Sequence, residues 1–109
     1  MGKPADLLQG TLDLLVLKTL ATGPKHGWAI ARRIEQVSGD VLQVTQGALY
    51  PALHRLEQRG LLKSHWEDSE AGRERKVYAL TAAGGKQLAR ELATWERLSG
   101  AIALVVRDA

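Results

Sequence analysis

The residues best suited to chemistry in this chain lie between Gln46 and Gly60, in the stretch QGALYPALHRLEQRG. Leu49, Leu53 and Leu56 fall at i, i+4 and i+7, so they predict one apolar stripe of a short amphipathic helix. At about 100° per residue, Gly47, Tyr50, Pro51, His54, Arg55 and Gln58 then fall on or near the other side. That set offers amide, phenol, imidazole and guanidinium groups, with Arg55 carrying a fixed charge. Such groups hydrogen-bond both nucleic-acid base edges and phosphate oxygens. A solvated helix face accounts for the same residues when they are taken alone.

Other chemistries find little support. His26, His54 and His65 are far apart and lack motif partners, and for His26 a capping or packing role is expected because no second ligand stands at metal spacing. Ser38, Ser64, Ser69 and Ser99 have no nucleophile-elbow setting, and Gly84-Gly85 carries no other part of a nucleotide fingerprint. With no cysteine there is no disulfide framework, thiolate metal site or cysteine nucleophile. An enzyme is not expected, nor is a metal or cofactor.

The elements that must position the stretch read as follows. Leu12 to Leu20 is apolar almost all round, predicting a helix buried on more than one side, with Thr11 as N-cap and Gly23-Pro24 as the stop. In so small a chain this calls for a second covering surface, another subunit being one candidate and a plain core helix the other. Lys25 to Val37 predicts a second helix, with Ile30, Ile34 and Val37 on its apolar face and Gly39 after it. Val41, Leu42 and Val44 suit a short extended segment, and Thr45 is placed to cap the Gln46 helix. Pro51 lacks an N–H and crowds the carbonyl of Gly47, so the turn Gln46 to Tyr50 should be tight or kinked. Gly47 leaves room for another molecule's backbone.

After Gly60 the period changes. Leu61 to Glu67 and Arg75 to Leu80 predict two strands around the turn-rich, charged segment Asp68 to Glu74. Arg73, Arg75 and Lys76 form a basic cluster there, although Glu67, Asp68, Glu70 and Glu74 balance the hairpin as a whole. Thr81 is expected to cap a last helix running towards Val106, about 40 Å long. Along it Leu88, Leu92, Trp95, Ser99, Ile102 and Val106 recur at heptad-like steps, the spacing of a helix–helix seam. Packing on the first helix explains part of that stripe; a symmetric dimer is the economical cover for the rest.

Composition fits this outline. The chain has 109 residues, of which 45% are hydrophobic, with no phenylalanine and a formal charge of +3. That predicts one modest, leucine-packed, mainly helical unit. The sequence pI near 9.5 permits a polyanionic partner without requiring one. Met1 to Gln9 lacks the apolar core of a signal peptide, and no apolar run reaches the roughly 18 residues that span a bilayer. A soluble, cytoplasmic protein without a membrane partner is expected.

Helix, helix, helix, hairpin, long helix is the order of a winged helix-turn-helix with a dimerisation helix added: a mainly α fold with a small β-hairpin wing. At this level the sequence resembles the PadR family of bacterial transcriptional regulators. The resemblance is carried by Gly10-Thr11-Leu12 and the following leucines, by Gly23-Pro24-Lys25-His26-Gly27-Trp28, and by Gly47-Ala48-Leu49-Tyr50-Pro51-Ala52-Leu53-His54-Arg55-Leu56-Glu57. Gly72-Arg73-Glu74-Arg75-Lys76-Val77-Tyr78 and Leu80-Thr81 extend it, so that it covers about Leu7 to Ile102. The family usually has tyrosine where Trp28 stands, and often a threonine or serine where Ala48 stands, so one hydroxyl is missing here.

The resemblance implies a DNA-binding domain over 7–80 and a C-terminal dimerisation helix over 81–107. It implies contacts to double-stranded DNA from Gln46, Gly47, Tyr50, Pro51, His54 and Arg55, and from the wing residues Arg73, Arg75 or Lys76. A homodimeric repressor on an inverted-repeat operator follows, with Leu14, Leu17, Leu88, Leu92, Trp95 and Ile102 expected at the dimer contact. The family also implies a flat aromatic effector, for which Trp95 is the stacking platform, although Trp95 also lies on the heptad-like seam, where packing is the favoured reading. The competing expectation is a winged-helix protein-interaction module without DNA binding.

Overall fold

The computed structural model describes residues 9–109; the predicted domain start at Leu7 and most of the segment inspected for a signal peptide lie outside them. Four helices and three strands follow in the order α1 (Gln9–Leu20), β1 (Lys25–His26), α2 (Gly27–Val37), α3 (Gln46–Gln58), β2 (Leu62–Asp68), β3 (Glu74–Leu80) and α4 (Ala82–Asp108). The strands form one antiparallel sheet in the order β1-β3-β2. This is a mainly helical winged-helix fold with a C-terminal helix.

α1 is the axis of the core. Leu12, Leu14, Val16, Leu17 and Leu20 are all buried on it, which is why its sequence is apolar nearly all round. The covering surfaces come from the chain itself, since α2, α3, α4 and β3 all pack against α1. Ile30 and Ile34 of α2 and Leu49, Ala52, Leu53 and Leu56 of α3 complete the centre.

Several local expectations change. Thr11 lies inside α1 rather than at its N-cap. Lys25 and His26 do not begin a helix; they pair with Tyr78 and Val77 of β3. Lys25 Nζ also folds back onto the end of α1, donating to the Thr19 and Gly23 carbonyls at 3.3 Å and to Thr22 Oγ1 at 2.7 Å. Val37 is exposed at the last position of α2, one turn after the buried Ile34. Within the segment Val41 to Val44 the extended structure is confined to a single bridge residue, Leu42, and the Val44 N–H donates to Glu35 Oε2 at 3.1 Å, which folds the loop back on α2.

The junction of α3, wing and α4 is tightly specified. Gly60 takes φ +75°, a left-handed conformation that lets the Leu61 N–H reach back to the Leu56 carbonyl at 3.0 Å. Thr81 Oγ1 then donates to the Gly60 carbonyl at 2.7 Å and accepts from the Gly84 N–H at 3.0 Å, capping α4 as expected. The Thr81 N–H meets the Leu61 carbonyl at 3.1 Å. The start of α4 is thus fixed to the end of α3.

Candidate nucleic-acid interface

α3 divides into two faces. Leu49, Ala52, Leu53 and Leu56 are buried, while Gln46, Gly47, Tyr50, Pro51 and His54 are exposed together on the other side. Thr45 caps the helix, its side chain accepting from the Ala48 N–H at 3.2 Å. The Thr45 carbonyl accepts from both Ala48 and Leu49, so the first turn is tight. Pro51 nonetheless sits within one uninterrupted helix, where the Gly47 carbonyl, lacking the Pro51 N–H as donor, lies at an exposed position.

Arg55 departs from the expected outward set. Its Nη2 donates to Asp13 Oδ1 at 3.1 Å, so the guanidinium faces α1, and its Nε is buried without a partner among the described residues. The reason is position: Arg55 borders the buried face, beside Leu56, and the one carboxylate on the apolar α1 lies within its reach. Burial pushes the Asp13 carboxyl above its ordinary value despite the favourable Arg55 charge.

The wing stands against α3 with its own polar latch. Strand pairing sets Trp66 opposite Lys76 and Ser64 opposite Tyr78. Lys76 Nζ lies 6.0 Å from the Trp66 ring centre, 5.6 Å from that of Tyr78 and 3.5 Å from Glu57 Oε1. Lys76 is therefore turned towards α3, held by a carboxylate and two rings. Glu57 also accepts a short hydrogen bond from the Ser64 hydroxyl, which with Lys76 holds its carboxyl below the usual value. Arg73 and Arg75 remain exposed. In the wing turn Gly72 has φ +77°, and Ser69 closes the loop by bonding both the N–H and the carbonyl of Arg73.

Aromatic residues that the sequence suggested only as packing or strand positions gather beside this face. His26, Gly27, Trp28, Tyr50, Trp66, Arg75, Lys76 and Tyr78 border a hollow of about 480 Å³ between the start of α2, α3 and the wing. His26 stacks on Trp28 with ring centres 6.2 Å apart, and Arg32 lies over Trp28 at 5.5 Å. Burial, and then the charge of Arg75, lower the His26 imidazole pKa. Trp66 and Tyr78 fall within the two expected strands, but the approach of α2 had no local signal.

The expected dimer residues also separate. Leu17 is fully enclosed in the chain's own core, and Leu14 and Leu88 are buried there, with Leu92 packed at its edge. They are not a free face, because the first half of α4 lies on α1. Beyond Leu92 that cover ends: Trp95 is 48% and Ile102 52% exposed, and Leu98, Leu104, Val105 and Val106 are exposed with them. Trp95 also walls a hollow of about 410 Å³ with Gly10, Leu14, Glu91 and Leu98. Among the described residues no acidic, histidine or cysteine cluster suits a metal ion, and no helix is long and apolar enough to cross a membrane.

The sequence matches the model of the transcriptional regulator PadR-like family over residues 16–90. It is 37% identical over 91 residues to transcriptional regulator Rv3488 of Mycobacterium tuberculosis, covering 84% of this chain and 81% of that protein. It is 46% identical over 90 residues, 83% of this chain, to an uncharacterized 37.1 kDa protein of a Streptomyces fradiae transposon, but spans only 24% of that protein's length. A transcriptional regulator from Clostridium thermocellum superposes with a TM-score of 0.82 at 27% identity, over 91% of this chain and 96% of the other. With a family match across most of its length and the same winged-helix architecture, the chain belongs to the PadR-like family of transcriptional regulators.

Proposed function

We propose that this regulator is a cytoplasmic homodimeric repressor that reads an inverted-repeat operator. The observation that carries the reading is the pairing of two free surfaces: the polar outer face of α3, and the apolar second half of α4, from Trp95 to Val106, which the chain does not cover. In this reading residues 7–80 form the DNA-binding domain and 81–107 the dimerisation helix. Two α3 helices enter successive major grooves about 34 Å apart. Gln46 and His54 contact base edges; Gly47 and Pro51 permit close approach of the backbone; Tyr50, Arg73 and Arg75 hold phosphates. Arg55 and Lys76 support the surface from behind, because each already has an acidic partner. A flat aromatic effector stacking on Trp95 in the hollow between α1 and α4 releases the DNA.

Selection of bound duplexes from a random pool at near-physiological salt, combined with sedimentation of the free protein, tests this reading. A two-fold symmetric site and a dimer at micromolar concentration are expected. A monomer that enriches no sequence is the result that the interaction-module alternative requires.

A further inference from the structure

The hollow between α2, α3 and the wing carries more than the recognition face needs. Its rim holds Trp28 and Trp66, which are 60% and 63% exposed, large apolar areas left beside the cations Arg75 and Lys76. Inside it lies Tyr78, only 6% exposed as a residue, with its ring against the Lys76 ammonium. Tyr50 closes one side: a Cβ on Gly27 would lie 3.0 Å from both the Tyr50 hydroxyl and its ring. Glycine at 27 thus lets the phenol lie across the start of α2. That helix opens here with no side-chain cap on its first N–H groups.

Aromatic C–H surface on the rim, with phenol and guanidinium donors within, is complementary to an anion flanked by apolar carbon. A sugar–phosphate unit has that chemistry, and rings and donors arranged in this way read no base edge. The hollow is also continuous with the outer face of α3, since Tyr50 borders it and, with Trp28 and Gln46, borders the neighbouring depression as well. We propose that this hollow is a phosphodiester cradle. It takes one backbone unit of the DNA strand passing between α3 and the wing. The phosphate faces Arg75 and the hydroxyls of Tyr50 and Tyr78, and the adjoining deoxyribose lies against Trp28 and Trp66. Lys76, already held by Glu57, adds positive field from the wall. The cradle rests on the DNA-binding reading above and adds to it a fixed anchor that is blind to sequence.

The test is a neutral-phosphate scan. Each phosphate of one half-site in a selected duplex is replaced singly by an uncharged methylphosphonate, and binding is followed by anisotropy at fixed salt. Wild type is compared with Arg75→Ala and with Tyr78→Phe, which keeps the buried ring. One linkage is expected to weaken wild type by about tenfold but each variant by less than about threefold, the sign of a shared contact. Trp66→Ala, on the rim, should weaken selected and random duplexes alike. If wild type binds its site but every linkage costs the variants as much as it costs wild type, the cradle is overturned and the regulator reading stands. If wild type binds no duplex, both fall.

Discussion

Arg55 of α3 and Asp13 of α1 are joined at 3.1 Å, 42 residues apart in sequence, and their ion pair ties α3 to the central helix of the core. The pair is asymmetric. Asp13 is buried, whereas the Arg55 side chain is partly open to solvent, so the carboxylate carries most of the desolvation cost. Burial outweighs the Arg55 attraction at Asp13, so Asp13→Asn, which keeps the side-chain shape and removes the buried charge, should stabilise the fold slightly in urea unfolding at neutral pH, by less than about 1 kcal/mol. A lowered midpoint would show that the pair contributes net stability.

The same residue sets a pH dependence. The folded Asp13 pKa lies above the ordinary 3.8, so across the interval between those two values the native state holds more proton than the unfolded chain. Asp13 therefore favours the fold most below about 3.8, and that contribution is lost as pH rises through its folded value. Glu57 behaves oppositely. Its folded pKa lies below the ordinary 4.5, so its contribution is present above that value and is lost as pH falls. Stability measured against pH should therefore lose a falling component in Asp13→Asn and a rising component in Glu57→Gln. Matching slopes in the two variants would contradict this assignment.

Sequence periodicity found these elements where local pattern determines them. Leu49, Leu53 and Leu56 mark the inner face of α3 because helical geometry alone puts them there. Lys25 and His26 look helical beside α2, yet form β1 because β3, some fifty residues later, offers Val77 and Tyr78 as partners. Arg55 shows the same limit: a helical wheel gives its direction but not the carboxylate that meets it. In α4 the heptad-like steps run unbroken from Leu88 to Val106, and only the tertiary fold shows that the chain's own cover ends after Leu92. Each difference arises from a partner distant in sequence.

Gly84 is expected to be intolerant of even one methyl group. A Cβ there would overlap the Leu61 carbonyl oxygen, which is backbone and already bonded to the Thr81 N–H, and would press on Leu80 Cδ1 at 2.8 Å. Relief requires α4 to shift away from the end of α3. Gly84→Ala should cost about 1–3 kcal/mol in thermal or urea unfolding, despite alanine's better helix propensity. Gly85→Ala is the control, because nothing lies within 4 Å of the added Cβ; there the propensity gain alone should show.

The uncovered half of α4 makes a prediction about assembly. Ile102→Glu places a charge in the apolar stripe between Trp95 and Val106 without touching the core, since Ile102 is half exposed in the single chain. In a dimer sealed by that stripe, the buried carboxylate should shift the protein to monomer in sedimentation velocity, with its far-ultraviolet circular dichroism retained. A dimer that survives Ile102→Glu at low micromolar concentration would place the contact elsewhere.

Variants at His54 and Arg73 test whether sequence reading is separate from backbone attraction. Both are exposed, His54 on the outer face of α3 and Arg73 in the wing turn beyond it. A base-edge hydrogen bond discriminates between sequences by about 1–3 kcal/mol, so His54→Ala should lower operator affinity while barely changing that for random duplex. A phosphate contact has no such preference. Arg73→Ala should weaken both duplexes alike and reduce the slope of log affinity against log salt by about one. Measuring both variants on both duplexes over a salt series gives each effect its own signature. If His54→Ala and Arg73→Ala each weaken operator and random DNA equally, α3 and the wing do not divide the work in this way.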